Sequence, residues 1–495
     1  MVLKEETGLL YERIADQIAH MIGQGSFRPG DRIPSVRQTC AQSGVSTATV
    51  VQAYLTLENR GLIEARPKSG FFVRAQWQGR IPEPSYAKTR DAVCSIKSQS
   101  LIGKIFEAAG RPDIVPFGAA CPSPEILPAE KLSRMLRAMD RRHSRKALMY
   151  DMPPGCEALR HEISKRSLTW GSSIRPDEII TTVGAMEALN LSLRAVAKPG
   201  DVIAIESPNY FGVLQGISDL GMRVVEIPTH PRDGMDVDAL ARAIERHKIA
   251  ACLAMPNFNN PLGCCMPDSH KRRLVELLGN HDIPLIEDDI YGDLHHGEQR
   301  PRTAQSFDTK GLVLLCSSFT KTLAPGFRVG WVAPGRYYEK VLQLKYTSTV
   351  ATPTLMQLAI AEFLKNGGYE RYLRGVRRIY AESIQRFSQA VAQQFPEGTT
   401  LSRPKGGFVL WIGLPKGCDS IELHDEALAR KISITPGTLF SATGGFRQFI
   451  RINCAHQWSR QIERALTTLG ELAKAMVHKA GSASARPRQV LVAMD

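Results

Sequence analysis

Residues Ser317–Trp331, SSFTKTLAPGFRVGW, place Lys321 directly behind the apolar run LVLLC, with hydroxyls at Ser318 and Thr320 and an arginine, Arg328, seven positions further on. Reading outward, runs of the same kind recur as DVIAIE, RVVEI, IAACLAM and IPLIE, separated by helical stretches such as AMEALNLSLRAV and SHKRRLVELLGNH. That alternation predicts βαβ units and a mostly parallel sheet covered on both faces. Ligand sites in such sheets collect beyond the carboxyl ends of the strands, so the residues just past each run become the candidates for chemistry.

Those residues form a set. Asp288 closes IPLIED, Tyr291 follows it by three positions, Asn260 stands in NNPLG and Tyr210 in SPNYFG, while Gly184-Ala185-Met186 open a helical stretch. A lysine behind a buried strand is a Schiff-base candidate. Chemistry on pyridoxal 5'-phosphate (PLP) needs such an amine, an acid that keeps the pyridine nitrogen protonated, donors to the ring hydroxyl and an anion cradle for the phosphate. Lys321 and Asp288 suit the first two needs, and Asn260 with Tyr291 the third. Free N–H groups at Gly184, Ala185 and Met186, joined by Ser318, Thr320 and Arg328, suit the fourth. Tyr210 is placed to stack on the ring. Singly, each has an ordinary reading: a surface lysine, a helix cap at Asp288, a core tyrosine. Their order on successive strand ends is much harder to reach by chance.

The first 75 residues read differently. Leu10, Ile14, Ile18 and Ile22 repeat at i+4, with Met21 on the same face, and the helix they predict ends near Gly25. Ser35 is placed to cap a second short helix that stops at Ser43-Gly44, and Ser46 a third, whose inward stripe is Val50, Tyr54 and Leu57 and which Gly61 closes. LIEAR, PKSG and FFVR then make a small hairpin. Helix, helix-turn-helix and hairpin is the winged-helix layout, with the third helix as reader of the major groove. Ser46, Thr47 and Thr49 are positioned for base edges or phosphates, Arg37 for the backbone, and Arg66 and Lys68 in the wing for phosphates, which position without specifying. A small protein-interaction module would share this outline.

From Ala75 to Pro112 the chain turns rich in Pro, Ser, Lys and Arg, which predicts a linker, 76–112, ending in a docking helix. Beyond Lys345 long helices, then GGFVLWIGL and FIRINCA, suggest a smaller α+β lobe, and 479–495 reads as a disordered tail. At 495 residues the chain exceeds one hydrophobic core, and 43% hydrophobic content without a spanning apolar run predicts a globular, cytoplasmic protein with no membrane partner. Ten cysteines without CxxC spacing predict neither a zinc site nor a disulfide framework. The net charge of +14 suits a nucleic-acid partner, yet residues 1–75 hold nine Lys/Arg against seven Asp/Glu, so most of the excess lies elsewhere.

Two resemblances sharpen these readings. The run from Leu9 to Val73 resembles the GntR-type winged helix, above all in PGDRIPSVR, GVSTATV and SGFFV. The match implies that Arg37, Ser46, Thr49 and Gly70 face DNA, while Thr47 stands where many relatives have arginine. From about 113 to 470, within a domain expected to span 113–478, the chain resembles fold type I, class I aminotransferases. That implies an internal aldimine at Lys321, the ring nitrogen on Asp288 and the ring hydroxyl between Asn260 and Tyr291. It also implies that Tyr150, in YDMPPG, reaches the phosphate of a partner subunit's cofactor and that Arg451, in FIRINCA, holds a substrate carboxylate. Leu262 replaces the usual threonine of NPTG and Met186 a common glutamine. The fusion resembles the MocR subfamily of regulators, which implies a homodimer on a double-stranded DNA operator with two half-sites and an effector that is PLP or a small amino compound. A working transaminase with an accessory DNA-binding domain is the alternative.

Overall fold

The computed structural model describes residues 9–484 except 25, 28–29, 61, 67–68, 74–80, 87–88, 90 and 97–100. The N-terminal unit follows the expected order: α1 (Leu10–Gly23), α2 (Val36–Ser43), α3 (Thr47–Asn59) and the hairpin β1 (Ile63–Arg66) with β2 (Gly70–Val73), whose strands pair antiparallel. Ile14, Ile18 and Ile22 are buried against Val50, Tyr54 and Leu57, whereas Leu10, expected on the same stripe, is exposed in the first turn of α1. Ser35 forms a full capping box, its Oγ accepting from Gln38 N while Gln38 Oε1 accepts from Ser35 N, and Gly44 ends α2 in the left-handed conformation at φ +64°. Ser46 Oγ accepts from Thr49 N at 3.2 Å to start α3. Tyr54 fixes the unit: its hydroxyl donates to Pro34 O at 2.6 Å, and its ring meets Phe71 of the wing edge-on at 5.0 Å. Gly61 and Lys68 lie outside the described residues.

The expected linker is fastened to the body wherever it is described. Cys94 exchanges both backbone hydrogen bonds with Val224, Glu83 pairs with Arg232 and Arg403, Asp91 pairs with His247, and α4 (Leu101–Ala109) buries Ile105 and Ala108. A docking helix was anticipated, but the extended attachment was not, because single polar residues such as Glu83 and Asp91 leave no periodic signal.

The body is built on an eight-stranded sheet in the order Ile180–Thr182, Gly330–Ala333, Val313–Ser318, Leu285–Asp288, Ile249–Ala254, Val202–Ser207, Arg223–His230, Gly234–Met235. Its five long apolar runs are parallel, and Gly330–Ala333 and Gly234–Met235 run antiparallel to their neighbours. The second lobe holds a four-stranded antiparallel sheet of Thr400–Leu401, Val409–Gly413, Phe449–Asn453 and Thr435–Pro436. Val115–Pro116 pairs with Ile432–Ser433, so the chain enters the body through the second lobe. The last helix runs Arg460–Ser484, beyond the boundary expected at 478: its core-facing side, which ends in Met476 and Val477, continues into small residues that had read as a tail. The N-terminal unit rests on the helix Gly368–Gln394: Arg378 bonds Tyr11 and Glu12, Arg386 donates to Glu58 O at 3.1 Å, and Arg60 lies 3.8 Å from Glu382. Among the described residues no helix is long and apolar enough to cross a membrane.

Candidate active site

The parallel strands deliver their carboxyl ends to one cleft between the lobes. Asp288 is the last residue of its strand and sits in register with Cys316 of the next, which continues through Ser318 to Lys321. Asp288 is buried, its Oδ1 has no partner among the described residues, and burial beside Asp289 pushes its carboxyl up to about 7. Tyr291 is fully buried with its hydroxyl unpartnered, its ring edge-on to Phe408 at 5.5 Å. Asn260 Oδ1 is likewise buried and unpartnered. Lys321 Nζ donates to Ala120 O at 2.6 Å, and burial pulls its ammonium below the usual range. Tyr210 caps the helix Phe211–Asp219, packs against the Phe211 ring at 4.6 Å and owes its room to Gly212, where a Cβ would stand 2.6 Å from the tyrosine ring.

The residues expected to cradle an anion meet at the start of one helix. The helix Gly184–Val196 begins at a glycine with φ +76°, and a Cβ there would lie 2.5 Å from Arg328 Nη2. Only glycine lets the guanidinium lie against the first turn, where free N–H groups and the helix dipole already attract negative charge. Gly330 is equally constrained, since its Cβ would meet the carbonyl carbon of Gly184 at 2.6 Å. Arg328 Nη1 reaches Thr320 Oγ1 at 3.4 Å, and Ser318 Oγ accepts from Thr320 N at 3.3 Å. Ala185 is buried and Met186 is turned outward. Glu187, an acid in the same turn, is drawn aside by Lys345 at 2.8 Å.

Arg451 lies fully buried on the strand Phe449–Asn453. Its Nη2 donates to Gly118 O and to Thr435 Oγ1, and its Nε and Nη1 are unpartnered among the described residues. Burial pulls this guanidinium below its ordinary value. Sequence reasoning missed the strap that faces it. Gly118–Cys121 offers its carbonyls to Arg451, to Lys321 and to Asn453, whose Nδ2 donates to both Ala119 O and Cys121 O at 2.8 Å. Backbone acceptors carry no residue-type signal, and only the small residues of GAAC hint at the close approach.

Tyr150 is not brought to this cleft; it is 77% exposed beside the exposed Leu148 and Met149. On the N-terminal unit Arg37, Ser46 and Thr47 are exposed, whereas Thr49 is half-buried with its hydroxyl 2.8 Å from Ser46 Oγ. Arg66 is paired with Glu64 at 2.8 Å and lies over the Phe72 ring, and Gly70 adopts φ +103° with the Arg32 guanidinium beside it.

Comparison with known proteins matches residues 118–469 to the family of class I and II aminotransferases and residues 10–73 to bacterial regulatory proteins of the gntR family. The chain is 40% identical over 93% of its length to the uncharacterized HTH-type transcriptional regulator YjiR of Escherichia coli K12, covering 98% of that protein. It is 31% identical over 76% of its length to the 2-aminoadipate transaminase of Thermus thermophilus, covering 94% of it. Among solved structures, α-aminoadipate aminotransferase LysN from Thermus thermophilus, complexed with N-(5'-phosphopyridoxyl)-L-leucine, superposes with a TM-score of 0.71 at 28% identity, over 77% of this chain and 96% of that one.

Proposed function

We propose, on the premise that the chain belongs to the class I and II aminotransferase family and carries a gntR-family segment at its N-terminus, that it is a transcription regulator whose aminotransferase-like domain binds PLP and senses PLP or an amino compound there. One observation carries this reading: among the described residues Asn260 Oδ1, Asp288 Oδ1, Tyr291 OH and two nitrogens of Arg451 are buried without partners, and the charges of Asp288 and Arg451 act on Lys321. An unmade buried hydrogen bond costs about 1–3 kcal/mol, so such groups are rarely left in one place without a ligand to satisfy them.

PLP fits this set. Its aldehyde matches Lys321, its ring nitrogen Asp288, its ring hydroxyl Asn260 and Tyr291, and its phosphate the cradle of Gly184, Ala185, Ser318, Thr320 and Arg328. When bound, the cofactor supplies an aldehyde that carries amines and a ring that withdraws electrons. The chain's own residues do the rest. Asp288 shares a proton with the ring nitrogen, a pairing that relieves its buried charge. Burial pulls the Lys321 ammonium below its ordinary value, which favours giving up its proton. The fork of Arg451 orients a carboxylate, and Tyr210 covers the ring.

An exposed Tyr150 amid apolar neighbours supports a two-fold dimer in which it serves the partner's cofactor, with two readers on paired half-sites. Lys321, Asp288 and Arg451 together also favour residual transamination, the second reading. Steady-state turnover with a panel of amino donors and 2-oxoglutarate, beside footprinting on the chain's own promoter, separates the two. Purified protein should show a visible PLP absorbance that Lys321→Ala removes; PLP reducibly attached to another lysine refutes the assignment.

A further inference from the structure

Residues 1–75 hold a net +2 of the chain's +14, and five of the remaining twelve net positive charges fall on one helix. The helix Ala129–Ala147 carries Lys131, Arg134, Arg137, Arg141, Arg142, Arg145 and Lys146 against Glu130 and Asp140, a net +5 of the chain's +14 in 19 residues. Its apolar side, Leu132 with Met135, Leu136 and Met139, packs into the core of the body. All seven cations are exposed, and none has an ion-pair partner among the described residues; Arg137 merely donates to Ser133 Oγ at 2.8 Å. Lys131, Arg134, Arg137 and Arg141 follow one another at three- and four-residue steps ahead of the non-helical His143, so they form one stripe of about 15 Å at 1.5 Å rise per residue.

Like charges three and four residues apart destabilise a helix. Favourable placement near the helix C-terminus accounts for Arg145 and Lys146 only. A polyanion laid along the remaining cations would offset that repulsion. Duplex DNA is one that presents a phosphate about every 1.7 Å of axis, and a stripe of this length covers roughly four base pairs.

We propose that the outer face of the Ala129–Ala147 helix is a second DNA-contact surface, which grips the phosphate backbone flanking the sites that the N-terminal unit reads. The surface adds affinity and no sequence preference, because arginines facing phosphates read charge and not bases. This rests on the reading of the chain as a DNA-binding regulator.

The test uses the full-length, PLP-loaded protein and a fragment of its own promoter. Arg134→Gln/Arg137→Gln/Arg141→Gln should bind roughly 10- to 100-fold more weakly at low salt, with a log–log salt slope shallower by about 2 to 3. Its visible PLP absorbance and circular dichroism should be unchanged, and the lysine triple variant should restore affinity. Hydroxyl-radical footprinting of the wild type should show protected sugars beyond the half-sites that the glutamine variant leaves open. Unchanged affinity, slope and footprint in that variant overturn the proposal. So does a variant that loses binding to phosphatidylglycerol vesicles while keeping the DNA slope, which assigns the face to a membrane surface. Wild type that does not bind promoter DNA at all fails the regulator reading itself, a result distinguishable from either.

Discussion

Asp288 sits where a carboxyl should least tolerate ionisation, fully enclosed and next to Asp289, and it is pushed up to about 7, as are the buried Glu206 and Glu287. Unfolded carboxyls titrate near about 4. Between these values each of these carboxyls binds more protons folded than unfolded, so its contribution to stability falls as pH rises through that window. His295, His296, His424 and His456, held below the usual imidazole range by burial, contribute the opposite slope. A protonated ring nitrogen reverses the carboxyl slope at Asp288 alone. The slope of the denaturation midpoint between about pH 5 and about pH 7 is therefore expected to be more positive with PLP bound than without it, and Asp288→Asn should erase the difference. A pH dependence that is the same with and without PLP in the wild type counts against the charge assignment. The same substitution should weaken PLP binding roughly 10- to 100-fold, as the loss of a charged hydrogen bond of about 1.5–3 kcal/mol requires. Arg451→Lys probes the other end of the cleft. It keeps a charge but not the fork, so amino acids should bind more weakly while PLP and carboxylate-free amines do not notice. Calorimetric titration that finds amino acids and simple amines equally affected removes Arg451 from the carboxylate role.

At the scale of elements, legibility in the sequence followed the physics of burial. Strands buried on both faces read as continuous apolar runs, and Val202–Ser207, Arg223–His230, Ile249–Ala254, Leu285–Asp288 and Val313–Ser318 all fall on such runs. Caps were legible because Ser35 and Ser46 satisfy helix N–H groups that nothing else reaches. Short edge strands such as Gly234–Met235 were not, since two residues carry no period, and the strap Gly118–Cys121 works through carbonyls that every residue type owns. Ser35→Ala should destabilise the N-terminal unit by about 1 kcal/mol, measured by its own unfolding transition, with PLP absorbance untouched. A sharper test of packing lies in the cradle. Gly330→Ala pushes a methyl into the backbone of Gly184, so a soluble, folded protein with much weaker phosphate-dependent PLP binding is expected. If pyridoxal, which lacks the phosphate, loses affinity equally, the damage is general and the cradle assignment is wrong.

In the whole molecule, a linker of some 35 residues, if free, would let two readers in a dimer accept half-sites at many spacings and in either orientation. The described parts of 76–112 are fastened to the body instead, and the reader itself is held on the Gly368–Gln394 helix through Arg378 with Tyr11 and Glu12, Arg386 with Glu58, and Arg60 with Glu382. These contacts meet the start of α1 and the end of α3, leaving the reading end around Ser46 and Thr47 open. A two-fold dimer with latched readers then presents them at one separation and one phase on the duplex. Exposed ionic contacts contribute about 0–1 kcal/mol each, so the latch restrains the reader without locking it. Inserting about 5 bp, half a helical turn, between the half-sites should therefore weaken wild-type binding by roughly tenfold, the equivalent of about 1.4 kcal/mol. Arg378→Glu should shrink that penalty, Glu12→Arg combined with it should restore it, and raising salt should erase it in the wild type as the ionic contacts are screened. Gel-shift titrations on the paired fragments decide the matter. A wild type indifferent to the insertion has independent readers, and a penalty unchanged in Arg378→Glu places the restraint somewhere other than this helix.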